Sequence, residues 1–151
     1  MPDISLIVRI AAEPERVFRA LATLEGIAGW FTEATSRDYT EGGKMSLNFG
    51  EGQTDFDVAS MNPNRKLVWR CISRENIWSD TEIRFTLEPK AGATPPTTLV
   101  RFDHAGWTET TDSLRECAMS WAYFLESLKL YLETGTGTPE SVAPPCDLET
   151  D

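Results

Sequence analysis

The stretch CAMSWAYFLESLKLYLETGTG, residues 117 to 137, constrains the fold of this chain more than any other. Read at about 100° per residue, the run from Ser113 to Glu133 sets Leu114, Cys117, Ala118, Trp121, Leu125, Leu128 and Leu132 on one face. A helix of about twenty residues is about 30 Å long, and a stripe this apolar has to be covered along its whole length. Ser113 and Glu116 have the spacing of a capping box, and Gly135 supplies the stop. On the opposite side Met119, Tyr123 and Leu130 align within a narrow arc where polar residues are expected. An aligned apolar set of this kind can mark a partner surface, and a homodimer through it is one reading.

The upstream sequence supplies the cover. ISLIVRI, residues 4 to 10, alternates Ile4, Leu6, Val8 and Ile10 onto one face, as a half-buried strand does. In AEPERVFRALATLEGIAGWF, Pro14 suits a first helical turn and Val17, Phe18 and Leu21 follow at helical spacing until Gly26 interrupts; Leu24, Ile27, Trp30 and Phe31 predict a second short helix. From about residue 35 the period becomes two, in the runs TSRDY, KMSLNFG, TDFDVASM, KLVWRCIS, TEIRFTLEP and TLVRFDH. Gly42 and Gly43, Gly50 and Gly52, Asn62 to Asn64, and Lys90 to Thr98 separate them as turns. Consecutive short turns predict an antiparallel meander, and six to seven strands at about 4.8 Å each match the helix in width. The fold class is therefore α+β: a curved antiparallel sheet of six to seven strands wrapped around a long C-terminal helix, with two short helices after the first strand. Residues 1–139 form the single domain on this reading, and residues 140–151 a disordered tail.

Charge and composition narrow the partners. With 24 acids against 14 bases, a formal charge of −10 and no run of Lys and Arg, the chain would repel a phosphate backbone, so no nucleic acid partner is expected. ISLIVRI is interrupted by Arg9, is too short to span a bilayer, and lacks the basic start and cleavage site of a secretory leader. No membrane insertion and a cytoplasmic location follow as expectations. Cys71, Cys117 and Cys146 are odd in number and far apart, which suits free thiols and no stable bridge.

Seven segments in order carry a family resemblance: IAAEPERVFRAL followed by Trp30 and Phe31, then GGKMSLNFG, PNRKLVW, TEIRFTLEP, TLVRFDHAG and CAMSWAYFLESLKLYLETG. Over roughly residues 4 to 139 the sequence resembles the family related to the C-terminal domain of the activator of heat-shock protein 90 ATPase. That family belongs to the START-related (SRPBCC) helix-grip superfamily. The resemblance implies a sheet and long helix that enclose a cavity for an apolar ligand. It also implies a range of functions, since the superfamily includes lipid carriers, hormone receptors, polyketide cyclases, coenzyme-binding proteins and co-chaperones.

Strand alternation turns Met45, Leu47 and Phe49, then Phe56 and Val58, then Leu67, Trp69 and Cys71, then Ile83, Phe85 and Leu87, then Val100, Phe102 and His104 toward the helix. These positions either fill a core or line a pocket. Five Trp and seven Phe in one domain, with Trp30, Trp78 and Trp107 at strand ends or loops, favour an aromatic-lined pocket. The candidate ligand-binding residues are Trp30, Phe49, Trp69, Trp78, Phe85, Phe102, His104, Trp107, Trp121 and Leu125. A small apolar or aromatic ligand would enter near Trp30, Trp78 and Trp107 and rest against Trp69, Phe85 and Trp121.

Catalytic machinery is not visible. His104, the single histidine, either orients or protonates a ligand or donates to a backbone carbonyl at the sheet edge. Asp103 points to the opposite face of a regular strand, so the two do not pair. Cys117 lies among apolar neighbours that make a thiol inert. No residue set has metal-ligand spacing, and neither metal nor cofactor is expected. EGGKMS lacks the first glycine and the final Ser or Thr of a phosphate loop and is a turn. Asp55, Asp57, Arg70, Glu82, Arg84 and Glu88 alternate outward, as a solvated face with cross-strand ion pairs does. The expected function is binding of a small apolar or aromatic molecule between sheet and helix, without catalysis. Two alternatives stand beside it: a co-chaperone-like partner of a heat-shock protein 90 type chaperone, and a cyclase- or hydrolase-like enzyme using the same cavity.

Overall fold

The protein, described by a computed structural model over residues 3–36, 39–49, 52–74 and 77–139, runs in the order β1 (Ile4–Ile10), α1 (Pro14–Ala22), α2 (Leu24–Trp30), β2 (Glu33–Thr35), β3 (Lys44–Phe49), β4 (Gly52–Asn62), β5 (Lys66–Cys71), β6 (Glu82–Lys90), β7 (Thr97–Ala105) and α3 (Asp112–Thr134). The expected tail, 140–151, lies outside the described residues. All seven strands join one sheet in the order β1-β7-β6-β5-β4-β3-β2, each pair antiparallel. From β2 to β7 this is a meander of neighbours, as short turns require. β1 crosses to the far side and pairs with β7, Ile4 opposite His104 and Ile10 opposite Thr98. A register shift between Val58 and Ser60 bends the long β4, which helps curl the sheet.

The alternation read from the sequence is the alternation in space. Met45, Leu47, Phe56, Val58, Leu67, Trp69, Cys71, Ile83, Phe85, Leu87, Val100, Phe102 and His104 are all buried on the concave face. α3 presents Leu114, Cys117, Trp121, Leu125, Leu128 and Leu132 to the interior, and also Phe124 and Ser127. Ala118 is only half-buried. Phe124 belongs inside because α2 packs beside α3: Phe31 meets Phe124 at 4.9 Å and Trp121 at 5.1 Å between ring centroids. On the convex face Arg70 and Arg84 share Glu82 at 2.5 and 2.9 Å, Lys44 meets Asp57 at 2.7 Å, and Arg101 pairs with Glu88.

Four expectations are corrected. The N-cap of α3 is Thr111, whose hydroxyl accepts from the Leu114 N–H at 3.2 Å; Ser113 is buried within the first turn, so the Ser113/Glu116 box does not form. The two early helices part at Thr23 rather than Gly26. Thr23 has extended backbone, closes α1 and caps α2 by accepting from the Gly26 N–H at 3.0 Å. Gly26 is instead a contact: a Cβ there would sit 2.6 Å from the Ala20 carbonyl oxygen. The first short strand is Glu33–Thr35, ahead of most of TSRDY. Tyr39 leaves the sheet because its hydroxyl donates to the Leu21 carbonyl at 2.7 Å. Finally, Cys117 is disulfide-bonded and Cys71 is the free, buried thiol, against the expectation of three free cysteines; Cys146 lies outside the described residues.

The left-handed Gly135 (φ 92°) ends α3 as its position predicted, and the chain then folds back. Thr138 N–H donates to Ser127 Oγ at 2.8 Å, and that hydroxyl donates to the Trp30 carbonyl at 2.7 Å. One small polar side chain on the buried helix face therefore ties α2, α3 and the segment after α3 together.

Candidate functional site: an aromatic interior beneath α3

The candidate residues form one connected body of rings. Trp30 meets Phe85 edge-on at 6.2 Å; Phe85 meets Trp69 at 5.1 Å and Phe102 at 5.4 Å; Phe102 meets Trp121 at 4.6 Å. Trp121 stacks on Trp78 at 5.7 Å and 18°, and Trp78 and Trp107 each stand 5.0 Å from the His104 ring. Leu125 is buried in the same core, while the side chain of Phe49 lies outside the described residues. Every one of these described candidates is at most 5% exposed, so the rings are interior groups rather than the rim of an open mouth. Two surface clefts, of about 340 and 490 Å³, involve none of them; the first lies between Arg16, Arg19 and Tyr131, the second between Glu13, Pro63 and Pro89.

Different elements supply the rings, and this decides how firmly each is held. Trp30 ends α2, Trp69 sits in β5 and Trp121 in the middle of α3. Trp78 and Trp107 belong to connections, between β5 and β6 and between β7 and α3. The two connections touch: Gly106 (φ 95°) packs so closely that a Cβ there would lie 3.0 Å from the Asp80 carbonyl oxygen. They insert their indoles against the same imidazole. Trp30 does not share this end, since its Nε1–H donates to the Ala20 carbonyl at 2.9 Å under the α1–α2 corner.

Hydrogen bonds fix the polar atoms among the rings. Trp121 Nε1–H donates to His104 Nδ1 at 3.1 Å. Thr81 Oγ1 lies 2.9 Å from His104 Nε2 and gives its own proton to the Trp78 carbonyl at 2.6 Å. Indole is a donor only and the Thr81 proton is already committed, so His104 must accept at Nδ1 and donate from Nε2. The relay therefore runs Trp121, His104, Thr81, Trp78. It holds the loop ring of Trp78 against the helix ring of Trp121. His104 does reach a backbone carbonyl, but through the Thr81 hydroxyl, and it stands inside the sheet, opposite Ile4 on β1 and Ile83 on β6, rather than at an edge. Burial pushes its pKa down to about 3, leaving it neutral at ordinary pH. Asp103 accepts from Ser5 Oγ at 2.6 Å on the outer face.

A second polar pair serves Trp69. Its Nε1–H donates to Tyr39 Oη at 3.0 Å, and that phenol, pushed above its ordinary range by burial, passes its proton to Leu21. Burial likewise pushes the Cys71 thiol up to about 11, which keeps it protonated. Trp107 Nε1 is different: it is buried without a hydrogen-bond partner. A buried indole N–H left without an acceptor costs about 1–3 kcal/mol.

Chemically, this interior is apolar and neutral. Its imidazole is neutral near pH 7, and the sulfur of Cys117 is in a disulfide rather than a thiol. Among the described residues no cluster of His, Cys, Asp or Glu is placed to hold a metal, and no helix is long and apolar enough to cross a membrane. Thr81 and Tyr39 are the polar partners of the rings that sequence reasoning missed. A threonine just before a strand and a tyrosine beyond a short one carry no periodic signal.

Residues 11–133 match the family model described as Activator of Hsp90 ATPase homolog 1-like protein. The chain is similar to the Aha1 dimer from Colwellia psychrerythraea, solved in solution, at 35% identity and a TM-score of 0.79, covering 91% of this chain and 100% of that one. It is similar to CalU16 from Micromonospora echinospora at 25% identity and a TM-score of 0.73, covering 91% and 78% of the two chains. Protein SSP2350 from Staphylococcus saprophyticus, at 20% identity and a TM-score of 0.76 over 95% and 99%, shares the fold. No curated protein matches the chain.

Proposed function

The chain belongs to the Activator of Hsp90 ATPase homolog 1-like family, and from that premise we propose that it binds a small aromatic molecule between the β6–β7 end of the sheet and α3, without catalysing its conversion. The observation that carries this reading is that two of the interior indoles, Trp78 and Trp107, are inserted by adjoining connections against the same His104 ring. A flat guest stacks on Trp121 in the place that the Trp78 ring takes in the closed protein, with Phe102 and Phe85 behind it. Trp78 then acts as a built-in occupant that the guest displaces. The neutral His104 and the disulfide-bonded Cys117 support binding rather than turnover.

Native mass spectrometry of freshly purified protein, with a panel of naphthalene-sized aromatics and fatty acids followed by tryptophan emission and melting temperature, tests the proposal. A co-purifying small molecule, or probes that shift emission and raise the melting temperature, supports it. Trp78→Ala should bind the aromatic probes more tightly, because the competing ring is gone. If no probe acts on either protein, the interior is simply a core. A heat-shock protein 90 type chaperone recovered in stoichiometric amount with the purified protein would favour the co-chaperone alternative instead.

A second reading has its own observation. Met119, Tyr123 and Leu130 are 76%, 52% and 37% exposed along the outer face of α3, and the 35% identical Colwellia psychrerythraea protein is described as a dimer. We propose that this face pairs with a second copy of the chain. Replacing Tyr123 and Leu130 with Glu should lower the sedimentation coefficient to that of a monomer; an unchanged coefficient removes the face from consideration.

A further inference from the structure

We infer that Trp107 Nε1 is the polar determinant of the aromatic site, a buried indole donor that meets a hydrogen-bond acceptor on a bicyclic aromatic guest. The inference rests on the binding reading and adds the chemistry of the guest: a flat ring system with a ring nitrogen or a carbonyl at its edge.

Three of the other interior indoles have an acceptor. Trp30 is satisfied by the Ala20 carbonyl, Trp69 by Tyr39 and Trp121 by His104. Trp107 has the same kind of donor, is 5% exposed, and has no acceptor. Buried donors are almost always paired, because hydration lost on folding has to be replaced. A phenylalanine at this position would carry no such penalty. The neighbouring imidazole cannot serve, since its Nδ1 already accepts from Trp121 and its Nε2 donates to Thr81. The backbone that leads into the indole is held in place. The preceding Gly106 holds a left-handed backbone pressed on Asp80, and its N–H is bonded to Asp3 Oδ1 at 3.4 Å. A guest that stacks on Trp121 beside His104 comes against the ring that Trp107 also touches. An acceptor on its edge satisfies the donor.

The test compares naphthalene with its near-isosteres quinoline and isoquinoline, near neutral pH, where both nitrogens are unprotonated acceptors. Dissociation constants are measured for the wild-type protein and Trp107→Phe. The different hydration of the probes cancels when their ratio is compared between proteins. One neutral hydrogen bond predicts a shift of about three- to tenfold in that ratio against the better-binding nitrogen heterocycle in Trp107→Phe. In isotope-labelled wild-type protein the Trp107 Nε1–H resonance should move with that heterocycle and not with naphthalene, a readout that does not depend on the variant folding. A ratio unchanged within about twofold and a still resonance, with all probes bound, overturn the inference and leave the binding reading standing. If none of the three probes binds the wild-type protein, both fail together.

Discussion

His104→Gln should remove a specific part of the acid sensitivity of this protein. In the folded chain burial holds the imidazole pKa down to about 3, against 6.5 for an ordinary histidine. As pH falls through 6.5 the unfolded chain takes up a proton that the folded chain refuses. The folded state therefore has its full stability from this group above pH 6.5 and loses it progressively until about pH 3, at up to about 1.4 kcal/mol per pH unit. Between pH 7 and pH 5 the loss integrates to about 2 kcal/mol. Glu82, Glu88 and Glu133 are also shifted, downward by their Arg and Lys partners. Their stabilisation is present above pH 4.5 and disappears only as pH falls below that, so the interval from 7 to 5 belongs to the chain's single histidine. Urea unfolding at half-unit pH steps would measure it. Wild-type protein should lose about 2 kcal/mol over the interval. His104→Gln should start lower by about 1–3 kcal/mol, since one amide cannot both accept from Trp121 and donate to Thr81 in the same geometry, and should then stay nearly flat. Parallel profiles for the two proteins would show that the imidazole takes up its proton in the folded state and that the relay does not hold it neutral.

Thr111→Ala should cost about 1 kcal/mol of stability in the same urea assay, because it removes the acceptor for the Leu114 N–H; no change would mean that another group caps α3. Gly26→Ala should destabilise by about 1–3 kcal/mol despite the better helix propensity of alanine, since the new methyl meets the Ala20 carbonyl at 2.6 Å. A gain in stability there would show that the α1–α2 corner opens at little cost.

Most of the fold was legible because it rests on period. Residues two apart in KLVWRC or TEIRFTLEP, and three or four apart around Trp121, must share a face whatever the tertiary details, and the sheet and helix meet along those faces. Boundaries set by single side chains were less legible. Ser113 and Thr111 both suit a cap, and only the direction from which the chain enters α3 selects Thr111. The site was legible as a set of aromatic residues but not as a mechanism. Sequence placed Trp30, Trp78 and Trp107 together as an entrance; in space Trp30 is sealed under Ala20, while Trp78 and Trp107 converge on His104. The relay through Thr81 joins residues 23 and 17 positions apart, and no local pattern records such a bond.

An open sheet of this kind has two exposed rims, and a bare rim is a template onto which another chain can add a strand. One rim here is β2, three residues long and too short to template much. The other is β1, and α3 covers part of its outward backbone: Lys129 Nζ donates to the Arg9 carbonyl at 2.6 Å, and Glu133 accepts from the Ala11 N–H at 2.8 Å. Lys129 and Glu133 also pair with each other at 2.8 Å, so the cover carries both charges. Growth of the sheet from molecule to molecule is thereby discouraged at both ends. Substitutions that strip this clamp, such as Lys129→Ala with Glu133→Ala, would expose strand backbone and promote fibrillar aggregation, even though neither residue touches the interior where a guest would sit.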